Sequence, residues 1–362
     1  MTRIFFNQNI ISPYRLPIFE ELNEEYGVEV WFHRKGEERE WEAELNEYSF
    51  DYKILNSPQA GPLTLNLGFF WKLLRPNFDV YFINENPSTF MQSFAILTVA
   101  EIKRRPVLIW SETVETEKSR ELPENLLKKI PVKAWRSFKE AYRKILFKFS
   151  DRFVAFSQMA EDFLINRGVE EEKIDTQIQI MPEKLLPEPE DHDLNEKYSD
   201  RKMILSLGYL EERKGVQDLI QAFKEIEDED YRLVVAGTGT YEKELTEKAE
   251  GDDRIEFVGY LSEQEKANYF DAADLFVLPT HHDPWGLVIN EALHYGTQVI
   301  TTEAAGAKEI LNKENICEQG DIETLTQKLE KLNTEANKSV EFEKGISGLM
   351  SAIEKVKKIR WI

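Results

Sequence analysis

From Lys202 onward, short apolar runs alternate with helical stretches, and that rhythm restricts the fold of this chain more than anything else in it. Met203–Leu207, Arg232–Ala236, Ile255–Val258, Leu275–Leu278 and Gln298–Thr301 read as strands. Between them Val216–Ile226, Glu242–Ala249 and Ser262–Ala272 read as helices, and a further helix begins near Gly286. Apolar strands separated by helices belong to a parallel sheet, because each crossover lays a helix on one of its faces. The first half has the same beat, with strands at Arg3–Phe6, Val28–Phe32, Val80–Ile83, Pro106–Trp110 and Phe153–Phe156 and a helix at Leu16–Tyr26. Ile180–Asp200 interrupts it: Pro182, Pro187 and Pro189 stand among acids without apolar periodicity, the composition of a linker. The expected class is α/β, with domains at 1–185 and 201–340, a linker at 186–200 and a helical tail at 341–362.

Composition narrows the function. A chain of 362 residues with 41% hydrophobic content suits two α/β domains with real cores. It has no run of about 18 apolar residues, so no membrane-spanning helix is expected. The opening MTRIFFNQNIISPYR lacks the apolar stretch and small-residue cleavage site of a secretory leader. Cys317 is the single cysteine, which excludes an intrachain disulfide and points to a reducing, cytoplasmic setting. That lone thiol and five histidines argue against zinc. The net charge of −21, from 67 acids and 46 bases, argues against general nucleic-acid binding. Gly237-Thr238-Gly239 begins a dinucleotide fingerprint, but Glu242 stands where its third glycine belongs, so no nicotinamide or flavin cofactor is expected.

The chemistry concentrates in two loops. In the run Leu278–Glu309, Asp283 and Glu291 stand eight positions apart around the turn Pro284-Trp285-Gly286. A helix starting near Gly286 puts Glu291 within its first turn and a half, with Asp283 in the loop before it. Unpaired amides at a helix start attract anions, and carboxylates accept hydrogen bonds from hydroxyls. Such a rim suits a sugar joined to a phosphate. The second loop, Gly208-Tyr209-Leu210-Glu211-Glu212-Arg213-Lys214-Gly215, follows a strand, where open α/β sheets bind their ligands. Its adjacent cations Arg213 and Lys214 suit a diphosphate whose charge must be stabilised as it leaves.

The spacing of Asp283 and Glu291 resembles the E-x7-E motif of glycosyltransferase family 4, retaining enzymes of the GT-B fold. Leu278-Pro279, Gly286-Leu287, Glu291-Ala292 and the run Gly296 to Ile300 match the family around it; Asp283 replaces the first glutamate. Gly208 to Gly215 resembles the family's Gly-Arg-x4-Lys-Gly, with Lys214 in place and Tyr209 where the arginine belongs. The resemblance is dense from about Met203 to Leu311. It implies GT-B architecture, two Rossmann-like domains facing across a cleft, with the acceptor in the first, the donor in the second and the last helix crossing back to the first. It implies transfer of a sugar from a nucleoside diphosphate sugar to a hydroxyl, with retention, no metal and no other cofactor. Lys214 and Arg213 would hold the diphosphate, Asp283 the sugar and Glu291 the ribose or sugar hydroxyls. Gly208, Tyr209, Gly237, Gly239, Val258, Gly259, Trp285, Gly286, Leu287 and Val288 would line the donor. Ala304 to Ala307, with Glu309 beyond, match a small-residue turn before a helix.

In the first half, Ser12, Tyr14 and Arg15 stand in a strand-to-helix loop that resembles the family's acceptor side. The family often places a histidine near the reacting carbon; His33 comes too early for it, and Glu112, after Trp110-Ser111, is the candidate substitute, with Asn84-Glu85-Asn86 a second one. His281 and His282 lack partners at metal-ligand spacing, and Asp191-His192-Asp193 is read as a chance D-x-D. Residues 128–149 carry eight bases against one acid, with Trp135, Phe138, Tyr142, Ile145 and Phe149 at helical spacing. Such a helix suits either an anionic membrane surface, and with it a lipid-linked acceptor, or plain packing on the sheet. Two other readings of the chain remain open: a GT-B subunit that binds sugar nucleotides without turnover, and a sugar-nucleotide epimerase.

Overall fold

The computed structural model describes residues 1–34, 45–60, 63–114, 132–179, 181–190, 192–331 and 344–359. They fall into two compact units: Met1–Ile178 with Glu343–Ile362, and Gln179–Phe342.

Unit 1 holds β1 (Arg3–Ile10), β2 (Gly27–Arg34), β3 (Asp51–Ile54), the two-residue strands β4 (Gln59–Ala60) and β5 (Leu63–Thr64), β6 (Val80–Asn84), β7 (Val107–Ser111), β8 (Arg152–Ala155) and β9 (Ile174–Thr176). Seven of these make a parallel sheet in the order β3-β2-β1-β6-β7-β8-β9, and β4 and β5 form a small hairpin. The inner strands β1, β2, β6, β7 and β8 are buried on both faces along most of their length, as helix-covered parallel strands are, whereas the edge strand β3 is partly exposed. On one face Phe5 packs edge-on against Trp31 at 5.2 Å and tilts onto Tyr81 at 5.8 Å. On the other Phe6 stacks on Phe82 at 4.5 Å and meets Phe19 of the Leu16–Glu25 helix. β1 runs four residues beyond the expected Phe6, because Asn7 and Gln8 interrupt the apolar signal yet lie fully inside.

Unit 2 holds β10 (Lys202–Leu207), β11 (Tyr231–Ala236), β12 (Ile255–Gly259), β13 (Leu275–Leu278), β14 (Gln298–Thr302) and β15 (Ile316–Cys317). They pair in parallel in the order β12-β11-β10-β13-β14-β15. In both units the chain first winds outward one way and then restarts beside its first strand. The loops after β1 and β6, and after β10 and β13, therefore flank the point where the winding reverses, which is where open sheets of this kind make their ligand crevice.

One sequence expectation changes. Residues 186–200, expected as linker, lie on unit 2 and include the helix His192–Tyr198. They are held by polar anchors that a composition test does not see. The Glu190 amide donates to Asn268 at 2.8 Å, Tyr198 donates to Glu256 at 2.9 Å, and Tyr295 donates to the Pro187 carbonyl at 2.8 Å. The tail forms a helix at Lys344–Ile359 that joins unit 1, burying Leu349, Ala352, Ile353 and Val356; Tyr26 donates to its Glu354 at 3.1 Å. The basic segment forms the helix Val132–Lys148 and buries part of its stripe: Tyr142 and Leu146 sit in the core and Phe138 meets Phe90 at 5.2 Å, while Ile145 and Phe149 stay exposed. One of its bases, Arg143, is internal, 2.7 Å from Glu85. Lys128 and Lys129 lie outside the described residues.

Candidate functional site

In unit 2 the loop after β10 turns through a short 3-10 segment, Glu212–Lys214, and ends at Gly215 with φ of 72°. No side chain is tolerated there: a Cβ on Gly215 would stand 1.8 Å from the Pro279 carbonyl oxygen. That approach brings the loop onto the one after β13. The Arg213 carbonyl accepts from the His281 amide at 2.8 Å and the Thr280 hydroxyl at 3.1 Å. Lys214 then reaches Asp283, Nζ to Oδ2 at 2.6 Å, with both side chains mostly buried. Asp283 is fixed from three further directions: its Oδ1 accepts from the Trp285 amide, its own amide donates to Ala304, and its carbonyl accepts from Gly306. The Ala304–Ala307 turn thus braces the acid from the loop after β14. Trp285 is buried and donates from Nε1 to Asn290 at 2.7 Å.

The helix Leu287–His294 follows, with Gly286 as its cap, so the first amides at Leu287 and Val288 have no intrahelical carbonyl to bond. Glu291, its fifth residue, is 7% exposed. Its Oε2 meets the Lys266 ammonium at 3.1 Å, and Lys266 also contacts Glu263 at 2.6 Å. Burial pushes the Glu291 carboxyl above the usual carboxylate range, and Lys266 works against that push. Lys266 itself holds its proton more tightly than a free lysine, since the two acids outweigh the cost of its burial. Sequence reasoning missed Lys266: it sits on the helix Glu263–Ala272, 25 residues upstream, and no spacing rule links it to Glu291.

The remaining donor-side candidates line the same end of this sheet. Gly237, with φ of 122°, lies against the Gly208 carbonyl, where a Cβ would stand 1.9 Å away, so the loops after β10 and β11 are in direct backbone contact. The Gly237 amide donates to Gly259 at 2.6 Å, which adds the end of β12, beyond Val258. Gly239 approaches Leu210 in the same way. Tyr209 is half exposed. Arg213 is turned to its own loop, 2.7 Å from Glu211 and donating to the His282 carbonyl at 3.1 Å, so Lys214 is the cation paired with Asp283. His281 is held by Asp218 at 2.5 Å, and burial lowers the His282 pKa below that of a free imidazole.

In unit 1 the loop after β1 places Ser12 and Arg15 inside, with Tyr14 half-buried beside them. Arg15 donates to Gln8 Oε1 at 2.7 Å and to Glu112 Oε2 at 2.5 Å, while Trp110 donates to Glu112 Oε1 at 2.7 Å. Two candidates chosen separately, Arg15 and Glu112, are therefore one ion pair. Glu85 is occupied by Arg143 and by the Ser111 hydroxyl at 2.7 Å. His33 is buried between Asn7 and Ser57, and burial drives its pKa down to about 4. It is a neutral, internal group. Asp191 lies outside the described residues. Burial raises the Cys317 thiol to about 11, so it stays protonated. Among the described residues no helix is long and apolar enough to cross a membrane.

Two doubly wound parallel sheets, each with its candidate groups at the strand ends, define a GT-B fold of two Rossmann-like domains. Over residues 187–348, the part of the chain holding Lys214, Asp283 and Glu291, the sequence matches the family model for glycosyl transferases group 1. It is 33% identical over 119 residues to an uncharacterised glycosyltransferase of Methanocaldococcus jannaschii, covering 32% of this chain and 30% of that protein. It is 36% identical over 104 residues to an alpha-monoglucosyldiacylglycerol synthase of Streptococcus pneumoniae, covering 27% of this chain and 24% of that one. The matched segment thus spans less than a third of the length of either relative. Among solved structures, HepE of Anabaena in complex with UDP and glucose superposes over 99% of this chain and 95% of its own, with a TM-score of 0.69 at 15% identity.

Proposed function

We propose that this chain is a glycosyltransferase that moves a sugar from a nucleoside diphosphate sugar to a hydroxyl, with the anomeric configuration kept. The observation that carries the reading is the Lys214–Asp283 pair at 2.6 Å, at the winding reversal of the unit 2 sheet, with Glu291 on the helix that follows. A cation and an acid in contact suit the two halves of one ligand. Lys214 meets the diphosphate, Asp283 the sugar hydroxyls, and their mutual attraction holds both in place before the donor arrives. Glu291 takes the ribose hydroxyls.

In the reaction the bond from the anomeric carbon to the phosphate oxygen breaks as the acceptor oxygen bonds to that carbon on the same face. The acceptor proton passes to the departing phosphate, so no separate base is needed. The negative charge on the leaving group is met by Lys214 and the amides of Leu287 and Val288 rather than by a metal; a preorganised donor of this kind contributes about 2.7–4 kcal/mol to the transition state. On the acceptor side, Arg15 is already neutralised by Glu112, so the pair offers hydrogen bonds without net charge, which suits hydroxyls better than a second anion. The acceptor is a saccharide or a lipid-linked sugar. In the second case the Val132–Lys148 helix, with Lys133, Lys144, Ile145 and Lys148 exposed, rests on an anionic bilayer. The alternative, a GT-B subunit that binds without turnover, is favoured by one observation: Arg213 pairs with Glu211, and Tyr209 stands where the resemblance calls for an arginine, so among the described residues Lys214 alone is the cation paired with Asp283.

A screen of sugar nucleotides with and without acceptors tests the reading. Release of UDP or GDP only when an acceptor is present is expected, and Lys214→Ala and Glu291→Ala should each lower it by about two to three orders of magnitude. Near-wild-type rates in both variants end the assignment; nucleotide binding with no turnover for any acceptor favours the subunit.

A further inference from the structure

The Lys266 ammonium lies between two carboxylates that differ sharply in setting. Glu263 is mostly exposed, whereas Glu291 is almost wholly buried. Desolvation consumes most of the attraction in a buried ion pair, so such a pair is a weak device for stability and calls for another reason. Lys266 contacts only Oε2 of Glu291; among the described residues no side chain or backbone group donates to Oε1. A carboxylate clamped by one oxygen and open at the other is oriented for a ligand.

We propose that Lys266 is a positioning residue of the donor site: by gripping Oε2 of Glu291 it presents Oε1 to the paired ribose hydroxyls, and so sets a preference for ribonucleotides over 2′-deoxyribonucleotides. This rests on the donor-site reading above. Two other groups act on the pair, and a third acts on one of these. Glu263, on the same helix as Lys266, repels Glu291; Tyr295, one turn beyond Glu291, is neutral with its phenol pushed up to about 12; Glu188 adds to that push. Without Lys266, burial and Glu263 both drive Glu291 toward its protonated form. A neutral acid accepts from a diol more weakly than a carboxylate does.

The test is calorimetric titration of UDP, GDP and their 2′-deoxy counterparts into the full chain, as wild type, Lys266→Met and Glu291→Gln, from pH 6 to 8.5. For Lys266→Met at pH 7, ribonucleotide affinity should fall about tenfold, 1.4 kcal/mol, while deoxynucleotide affinity stays within about twofold. The preference should return as the pH rises and Glu291 loses its proton, and should be missing from Glu291→Gln at every pH. Lys266→Gln, which keeps a donor to Oε2 without the charge, serves if the methionine variant melts early, and should show the same pH dependence; Lys266→Arg should keep the preference. An undiminished ribose preference in both uncharged variants at pH 7 overturns the role of Lys266 and leaves the donor site standing. A wild type that binds no nucleoside diphosphate overturns both.

Discussion

Tyr209 and Lys214 show how much one side chain decides in this loop. Tyr209 is half exposed in the loop that carries Lys214, and it stands where the resemblance calls for an arginine. Tyr209→Arg would add a second cation to the diphosphate side. A charge-assisted hydrogen bond contributes about 1.5–3 kcal/mol, so the variant should bind nucleoside diphosphates about tenfold tighter or better, read by titration against the wild type. Unchanged affinity would place Tyr209 away from the phosphates. His33 offers a test of a different kind. Its folded pKa of about 4 lies below the value of about 6.5 for a free imidazole, so the unfolded chain binds the extra proton first. The stability that follows is complete above pH 6.5 and is lost as pH falls toward 4, by about 3 kcal/mol. His33→Asn should flatten the fall in melting temperature over that window; an equally steep fall in both proteins would refute the assignment.

The strands and helices carry their own lesson about reading a sequence. In unit 2 the strands β10, β11 and β13 announce themselves by apolar runs buried on both faces, β12 is legible despite its exposed Glu256, and the two-residue β15 carries no signal of its own; the loops after β10 and β13 announce themselves by charge and glycine. What stayed hidden is contact between elements distant in the chain. Lys266 lies on one helix and Glu291 on another; Arg15 follows β1 and Glu112 follows β7. No spacing along the chain encodes either pair. Asn7 and Gln8 hid the second half of β1 for a related reason: they are polar but buried, serving His33 and Arg15 rather than solvent. Residues 186–200 misled in the opposite sense, since proline and acid suggest a free strand of chain where polar anchors hold a helix. The Val132–Lys148 helix was read two ways, and packing accounts for Phe138 and Tyr142 but not for Ile145, Phe149, Lys133, Lys144 and Lys148, which remain exposed.

Charge on the molecule as a whole makes that exposed face testable. The chain carries −21, so an anionic surface should repel it unless a local patch prevails. Each exposed base near such a surface contributes about 1 kcal/mol, and the field fades within a Debye length of roughly 10 Å in 0.1 M salt. The protein should co-sediment with anionic vesicles in low salt, release them in high salt, and ignore neutral ones; charge reversal at Lys144 and Lys148 should abolish the effect. Equal recovery with both kinds of vesicle would show that the bases play no part. One further property follows from the path of the chain. Lys344–Ile359 belongs to unit 1, yet the ribosome makes it only after all of unit 2. Leu349, Ala352, Ile353 and Val356 therefore cannot cover β8 and β9 until the second unit has been synthesised, and the nascent first half waits with that flank bare, the natural place for a chaperone to hold it.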